Sequence, residues 1–242
     1  MIYASKFYDS LLTVIFPQAC EICGRSVEKF CDGKCCEKCW SETHIFKGNE
    51  TLCDKCGAFL HRELQKTKIF CQKCSDHFYD SARAAGVYEK AIRASVLQLK
   101  STPYAPQKIT DILVNAFNNS FFQDTTKIIS VPLSRQRFAE RTFNQAEVLS
   151  AKFGKTIGIE VDNLSLARIT QVEKRRAGMD KKARFASVNN AFDVMRPKPI
   201  ENQNILLIDD VFTTGATVSN CAKILKKKGA SKVYVLTVAR TV

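Results

Sequence analysis

Four Cys-x-x-Cys pairs stand in line near the start of this 242-residue chain, Cys20/Cys23, Cys36/Cys39, Cys53/Cys56 and Cys71/Cys74, and no other feature limits its folding so tightly. Gaps of 12, 13 and 14 residues separate successive pairs. A Cys-x-x-Cys turn aims two thiolates at one point, and a second such turn completes a tetrahedral sulfur shell suited to Zn²⁺. Eight ligands therefore make two structural four-cysteine sites, with an iron–sulfur cluster as the other occupant that four thiolates allow. Spacing leaves open whether neighbouring or interleaved pairs share an ion. Gly24 and Gly57 follow the first and third pairs, where a knuckle turn needs a residue tolerant of positive φ. Cys31 and Cys35 fall outside the pairs, as spare thiols or substitute ligands. His44, His61 and His77 are expected to be surface or packing residues, since thiolates already fill both shells. Lys6 and Asp9 interrupt the first apolar stretch, so an export signal is not expected, and cysteines in a reducing compartment point to metal rather than disulfides.

Ten of the eleven cysteines lie between Cys20 and Cys74. Charge shifts at the same place. Residues 1–80 carry 11 Lys+Arg against 11 Asp+Glu, whereas residues 81–242 carry 26 against 13, which is the whole of the +13 excess. Two domains are expected, an N-terminal helix with a cysteine-rich zinc module over 1–80 and a larger domain over 81–242. An apolar content of 45% with 25% charged residues excludes a disordered chain. No apolar run approaches the roughly 20 residues of a membrane span. Tyr3, Phe7, Leu11 and Ile15 recur at helical spacing and predict a short helix stopped by Pro17, packed on the zinc module or bridging to the second domain. Membrane docking is the weaker reading of that helix, because its polar face lacks a basic cluster.

Beyond residue 82, short apolar runs alternate with amphipathic stretches. Strands are expected at 83–88, 127–131, 164–167, 205–209 and 232–239, and helices at 89–99, 107–120, 144–153 and 216–228. This alternation predicts an α/β fold with a mostly parallel sheet, whose ligands collect at the carboxyl ends of its strands. The most informative segment is 204–217. Ile205 to Ile208 reads as a buried strand ending at Asp209, with Asp210 beside it. Thr213, Thr214, Gly215, Ala216 and Thr217 then wrap a helix start, where backbone N–H groups, hydroxyls and the helix dipole favour a phosphate. Paired carboxylates next to an anion cradle match the two halves of a ribose phosphate, the acids taking vicinal hydroxyls or holding water around Mg²⁺.

The run Leu206-Leu-Ile-Asp-Asp-Val-Phe-Thr-Thr-Gly-Ala-Thr217 resembles the phosphoribosyl pyrophosphate (PRPP) motif of type I phosphoribosyltransferases at nearly every position. The resemblance implies that Asp209 and Asp210 bind the ribose hydroxyls and that Thr213 to Thr217 bind the 5′-phosphate. Taken whole, the chain resembles the ComF/ComFC competence proteins. These place a cysteine-rich zinc-ribbon module before a type I phosphoribosyltransferase-like domain, a mostly parallel sheet flanked by helices. Tyr88 to Leu99-Lys100 is similar to the family's Tyr…Leu-Lys stretch, and its lysine opens the loop expected to hold pyrophosphate. Val131-Pro132-Leu133 with Arg135, Arg137 and Arg141-Thr-Phe-Asn-Gln145 resembles the Val-Pro-Leu…Arg-Gly-Phe-Asn-Gln segment. Arg168 and Arg184 through Ala191-Phe192 are similar to the arginine-rich hood and terminal Ala-Phe. Three positions depart from the pattern: Thr142 replaces a glycine, Ser187 an asparagine and Arg176 a glutamine. Lys100, Arg135, Arg137 and Arg141 are the expected partners of the PRPP phosphates, together with Mg²⁺. No residue is assigned a catalytic role. Related transferases sometimes carry an Asp general base in the cradle, and Thr213 at that position cannot serve as one.

Arg168, Lys174, Arg175, Arg176, Lys181, Lys182 and Arg184 form a basic segment against only Glu173 and Asp180. Such a segment can follow a phosphate backbone, with Phe143 or Phe185 stacking on bases. Lys226, Lys227, Lys228 and Lys232 form a second cluster, which charge favoured at a helix C-terminus accounts for. The family resemblance implies natural transformation: a zinc-stabilised, PRPP-binding factor that handles single-stranded DNA in the cytoplasm, with DNA-uptake helicase or recombination proteins as partners. A peripheral place at the inner membrane stays open. The alternatives are an active phosphoribosyltransferase that releases pyrophosphate, and a PRPP sensor in which the ligand orders residues 133–145.

Overall fold

The computed structural model describes residues 13, 15–60, 70–169 and 191–242. Six strands are present among them: β1 (Ser81–Val87), β2 (Lys127–Ser130), β3 (Leu166–Arg168), β4 (Phe192–Val194), β5 (Asn204–Phe212) and β6 (Lys232–Arg240). Four make a fully parallel sheet in the order β1-β6-β5-β2. Residues Ile205 to Ile208 are apolar without alternation because both faces of β5 are covered. Leu206 and Ile208 join Ile128, Leu236 and Val238 in one core, while Ile205 and Leu207 join Ile129, Val233 and Val235 in the other.

Among the described residues, six α-helices accompany the strands: α1 (Glu37–Ser41), α2 (Lys90–Ser101), α3 (Gln107–Asn118), α4 (Arg135–Arg141), α5 (Gln145–Ile157) and α6 (Ala216–Lys227). Helices α2, α3 and α5 cover the first face with Ile92, Val96 and Leu99, Ile109, Leu113 and Phe117, and Leu149 and Phe153. Helix α6 covers the second with Val218, Ala222 and Leu225. The expected mostly parallel sheet flanked by helices is therefore what these residues form.

The cysteine-rich segment is built onto the outer edge of β1. Phe46 N–H donates to the Ala85 carbonyl at 2.9 Å and Val87 N–H donates to the His44 carbonyl at 2.9 Å. A Cβ at Gly86 would stand 2.5 Å from the His44 oxygen, so glycine is what lets the two backbones meet. At the opposite edge, residues 160–162 pair with β2 through Ile128, at 2.9 and 2.8 Å. Both edges are thus occupied, which removes the unpaired ladder that exposes sheets to association.

The structure departs from expectation at several places. The strand foreseen at 164–167 does not enter the sheet: Leu166–Arg168 pairs antiparallel with Phe192–Val194 as a separate ribbon. Only Leu166 of that strand is buried, so it has no second apolar face to offer a central position. Residues 133–145 are not a loop throughout, since Arg135–Arg141 is helical, with the Ser134 hydroxyl accepting from the Arg137 N–H and Thr142 closing the end. Lys100 lies in the last turn of α2 rather than opening a loop. The N-terminal amphipathic helix falls mostly outside the described residues. Among those described, no helix is long and apolar enough to cross a membrane.

Thr142 has φ +65°, the left-handed region that a β-branched side chain tolerates poorly. The left-handed penalty is about 1–2 kcal/mol, and glycine gives back roughly 0.4–1 kcal/mol through its freer unfolded chain. Thr142→Gly is expected to raise the melting temperature by about 2–4 °C. An unchanged or lower midpoint in thermal denaturation would mean that the hydroxyl bond from Thr142 to the Arg141 carbonyl, 2.6 Å, outweighs the strain.

Candidate functional site

The eight paired cysteines gather into two clusters, Cys20, Cys23, Cys36 and Cys39, and Cys53, Cys56, Cys71 and Cys74, with all four Sγ atoms of each within 4.8 Å of one another. Neighbouring pairs, not interleaved ones, thus face a common centre. Cys23 and Cys36 Sγ are 3.6 Å apart, Cys53 and Cys74 3.6 Å, and Cys56 and Cys71 3.4 Å. A tetrahedron with Zn–S bonds of about 2.3 Å has edges near 3.8 Å, so the donor set fits structural Zn²⁺. Burial opposes ionisation of Cys20, yet backbone donors at Cys36, Ile22 and Cys23 bring its pKa down to about 6. Cys53 is likewise brought to about 7 against its burial by backbone donors at Cys56, Cys71 and Lys55. Backbone donors thus favour a thiolate at Cys20 and Cys53, whereas burial and the neighbouring thiols push Cys39, Cys56 and Cys74 up. Cys35 is outside the first cluster, and its thiol is pushed up to about 12 by burial and by neighbouring Cys20. His44 and His77 belong to neither cluster, and His61 lies outside the described residues.

The paired acids sit at the carboxyl end of β5. That strand does not stop at Asp209 but continues to Phe212, because Val211 and Phe212 keep pairing with Ala239 and Arg240 of β6. The carboxylates are thus held by a hydrogen-bonded strand: Asp209 accepts from the Asp210 N–H and Asp210 from the Val211 N–H, both at 2.8 Å. The chain then turns through Thr213 and Thr214 to Gly215, the N-cap of α6, at φ +77°. A Cβ there would lie 2.6 Å from the Phe212 ring, so both conformation and space demand glycine. A cavity of about 30 Å³, lined by Asp209, Thr213, Gly215 and Thr217, opens at this helix start. Backbone donors and the positive end of the α6 dipole favour an anion there.

Two other elements reach the acids. Lys100 Nζ is 3.3 Å from Asp210 Oδ2. Gln145 Nε2, at the first turn of α5, donates to the same oxygen at 3.4 Å, and Arg141 donates to Gln145 Oε1 at 2.9 Å. Burial pushes the Asp209 carboxyl well above the usual range, the adjacent Asp210 pushes it further, and Lys100 opposes both. Lys100, Arg141, Asp209, Asp210 and the 213–217 turn therefore form one neighbourhood. Arg135 and Arg137 lie instead on the exposed face of α4, where Arg135 lines a separate cavity of about 250 Å³ with Pro132, Leu133, Phe138 and Asn144.

Arg168 stacks on the Phe192 ring at 5.3 Å, while Lys174, Arg175, Arg176, Lys181, Lys182 and Arg184 lie outside the described residues. In the second basic cluster, Lys226 pairs with Asp80 at 2.7 Å and Lys232 with Asp124 at 2.6 Å, so both are locally neutralised. One residue of the neighbourhood was missed as a site residue: Gln145 stood in the Asn-Gln motif without a role, yet it donates to Asp210. His77 stacks on Tyr79 with centroids 5.0 Å apart, as a packing residue does.

Two measurements follow from this geometry. Purified protein should carry two zinc ions per chain by atomic emission, and a Cys36→Ala/Cys39→Ala variant should keep one, because the clusters share no ligand. A single ion in the wild type would refute the pairing. For Asp209, the folded chain keeps the proton to higher pH than the unfolded chain does. Its contribution to stability is complete below the ordinary value of 3.8 and is lost as pH rises toward the raised folded value. Asp209→Asn should therefore show a higher urea midpoint than wild type at pH 7, and the gap should close toward pH 4. A gap independent of pH would contradict the raised carboxyl.

Residues 11–75 match the double zinc ribbon domain family. Over 203 residues the chain is 28% identical to DNA utilization protein YhgH of Escherichia coli O157:H7, spanning 80% of this chain and 86% of that one. It is 26% identical over 222 residues to Competence protein ComFC of Bacillus subtilis (strain 168), spanning 87% and 85%. Among solved structures, the purine phosphoribosyltransferase from Pyrococcus horikoshii Ot3 overlaps 56% of this chain and 82% of its own at 14% identity and a TM-score of 0.35. The double zinc ribbon match and the likeness to YhgH and ComFC over most of the chain make it similar to the ComF/ComFC proteins.

Proposed function

We propose that this protein binds PRPP with Mg²⁺ at the turn between β5 and α6 and handles incoming single-stranded DNA in the cytoplasm. The observation that carries the reading is the convergence of α2, α5 and β5 on Asp210 beside a glycine-capped helix start. Asp209 and Asp210 accept hydrogen bonds from the two ribose hydroxyls. Backbone donors of residues 213–217 take the 5′-phosphate. When the sugar takes Asp210, Lys100 is released toward the pyrophosphate, and Arg141, linked through Gln145, follows. Mg²⁺ would be held by the diphosphate with water against the acids, neutralising charge that one lysine and one arginine leave over.

The DNA side rests on the basic excess of residues 81–242 and on the names of the relatives, a DNA utilization protein and a competence protein. Arg168 and the basic residues after it supply a cationic path, and Phe138, half exposed on α4 among three arginines, is a stacking surface. DNA-uptake helicase or recombination proteins are the partners that such a role calls for. Transfer of the ribosyl group to an acceptor is a second reading, favoured by the 250 Å³ cavity beside α4, which is open to a small molecule.

Calorimetry should show Mg²⁺-dependent binding of PRPP. Two charged hydrogen bonds at about 1.5–3 kcal/mol each make an Asp209→Ala/Asp210→Ala variant bind at least a hundredfold more weakly. Affinity for a labelled single-stranded oligonucleotide should fall steeply with salt and vary little with sequence. An acid-free variant that binds PRPP like wild type would sink the sugar site; oligonucleotide binding that ignores salt would sink the DNA role. Release of pyrophosphate on adding a nucleobase or amine would favour transfer.

A further inference from the structure

Helix α4 keeps its order with no core residue of its own. None of its seven residues is buried, although short helices normally depend on an apolar face packed against the rest of the protein. Its ends are fastened instead: the Ser134 hydroxyl accepts from the Arg137 N–H, and Arg141 donates to Gln145 Oε1 at 2.9 Å. Beside the helix lies the cavity of about 250 Å³, whose walls include Pro132, Leu133, Arg135, Phe138, Asn144 and Glu147. Arg135, Phe138 and Ala139 stand at i, i+3 and i+4, so one face of α4 looks into that space. Arg137 and Arg141, also four apart, share another face, from which Arg141 reaches Gln145 and through it Asp210.

Size, shape and charge together select an occupant. Pockets for drug-sized ligands span roughly 300–1,000 Å³, so this smaller space admits one ring system and not a whole nucleotide. Phe138 is 50% exposed and meets no other ring among the described residues. Asn144 is already committed, since its amide donates to the Val131 carbonyl at 3.1 Å and to Glu147 Oε1 at 3.2 Å, and its oxygen accepts from the Ala146 N–H at 3.0 Å. Glu147 is thus held by one oxygen, and its Oε2 has no partner among the described residues. That oxygen is an acceptor for an N–H, and every nucleobase carries one on its pairing edge. Three arginines of α4 face a single acid of the helix, Glu140, whose carboxylate takes the Gln136 amide at 3.1 Å. A flat ring with an N–H edge and an anion attached describes a base on a phosphate backbone.

We propose that this cavity seats one base of a single strand: the base lies on the Phe138 ring, Glu147 accepts its edge N–H, and Arg135 at the mouth takes the adjoining phosphate. The inference deepens the single-stranded DNA reading and rests on it. The cavity is assigned to a base carried by a strand because the guanidinium in its wall has no charge to meet on a free base. Any of the four bases satisfies the acceptor, so the seat is not sequence-specific. An inserted base also gives α4 the packing that it lacks.

Zinc-loaded full-length protein is titrated by fluorescence anisotropy with a labelled thymidine oligonucleotide and with an abasic strand of equal length, which keeps the phosphates and has no bases. Phe138→Ala should weaken the base-bearing strand about tenfold and leave the abasic strand at the wild-type affinity. Phe138→Trp should restore most of the loss, and Phe121→Ala, which removes a 75% exposed ring elsewhere on the surface, should bind like wild type. Glu147→Ala gives the sharpest contrast. Removing an acid by itself strengthens binding to both strands, so weaker binding of the base-bearing strand alone has no electrostatic explanation. Arg135→Ala should weaken both strands and reduce the salt slope by about one. A wild type that does not distinguish the two strands, or a Phe138→Ala variant that weakens both or neither, would overturn the base seat while leaving strand binding in place. Tighter binding of both strands by Glu147→Ala would overturn the acceptor. Free thymine that displaces the oligonucleotide as well as an unlabelled strand does would overturn the assignment by making the cavity a small-molecule site. A wild type that binds neither strand would overturn DNA handling and this inference together.

Discussion

Carbonyl groups in the tight knuckles of a cysteine cluster point outward and need donors, and two arginines from the sheet supply them. Arg83 in β1 donates to the carbonyls of Cys53 at 3.3 Å and Asp54 at 3.1 Å, and Arg240 at the end of β6 donates to Cys56 at 2.7 Å. Both guanidinium groups are largely shielded from water, and burial lowers their pKa. A buried cation without partners costs several kcal/mol, so these arginines depend on the knuckles staying where they are, Arg83 less so because it also donates to the Ala82 carbonyl at 2.8 Å. The dependence is mutual. A segment of some 60 residues cannot bury enough apolar surface by itself. Here each cluster instead extends one of the domain's cores: Cys20, Cys36 and Cys39 continue the face covered by α2, α3 and α5, and Cys53, Cys56 and Cys74 the face covered by α6.

The acids at the end of β5 are the opposite case, a place where the fold accepts a cost. Asp209 is pressed between burial and the charge of Asp210, and neither contributes to stability at neutral pH. Carboxylates kept under such pressure are characteristic of sites that act on something. Two strand ends and two helices pin them, so the strain is borne by a rigid frame and not relieved by local movement.

What could be read from residues alone divides along a physical line. The ligand turns, the buried run Ile205 to Ile208 and the acid–acid–glycine order are local patterns, and local patterns are visible in one dimension. The pairing of clusters was not, because sulfur spacing is the same for neighbouring and alternate pairs; only the packing of each cluster against its own sheet face separates them. Strand β5 ran past Asp209 because Val211 and Phe212 have partners in β6, a tertiary fact. Helix α4 was missed since its short run of exposed polar residues has no apolar stripe to announce it, although Ser134 is a fair N-cap.

One contact shapes how any ligand must enter. Asp210 already has company from Lys100 and Gln145, so an arriving hydroxyl competes with a cation and an amide and gains only the difference. A plain sugar would evict the lysine and leave its half-buried ammonium with nothing in return. A sugar that brings its own negative charge offers the displaced lysine a new home, and the swap then comes close to even. On the proposed PRPP reading, the resting arrangement itself would disfavour uncharged look-alikes, through the cost of a stranded cation.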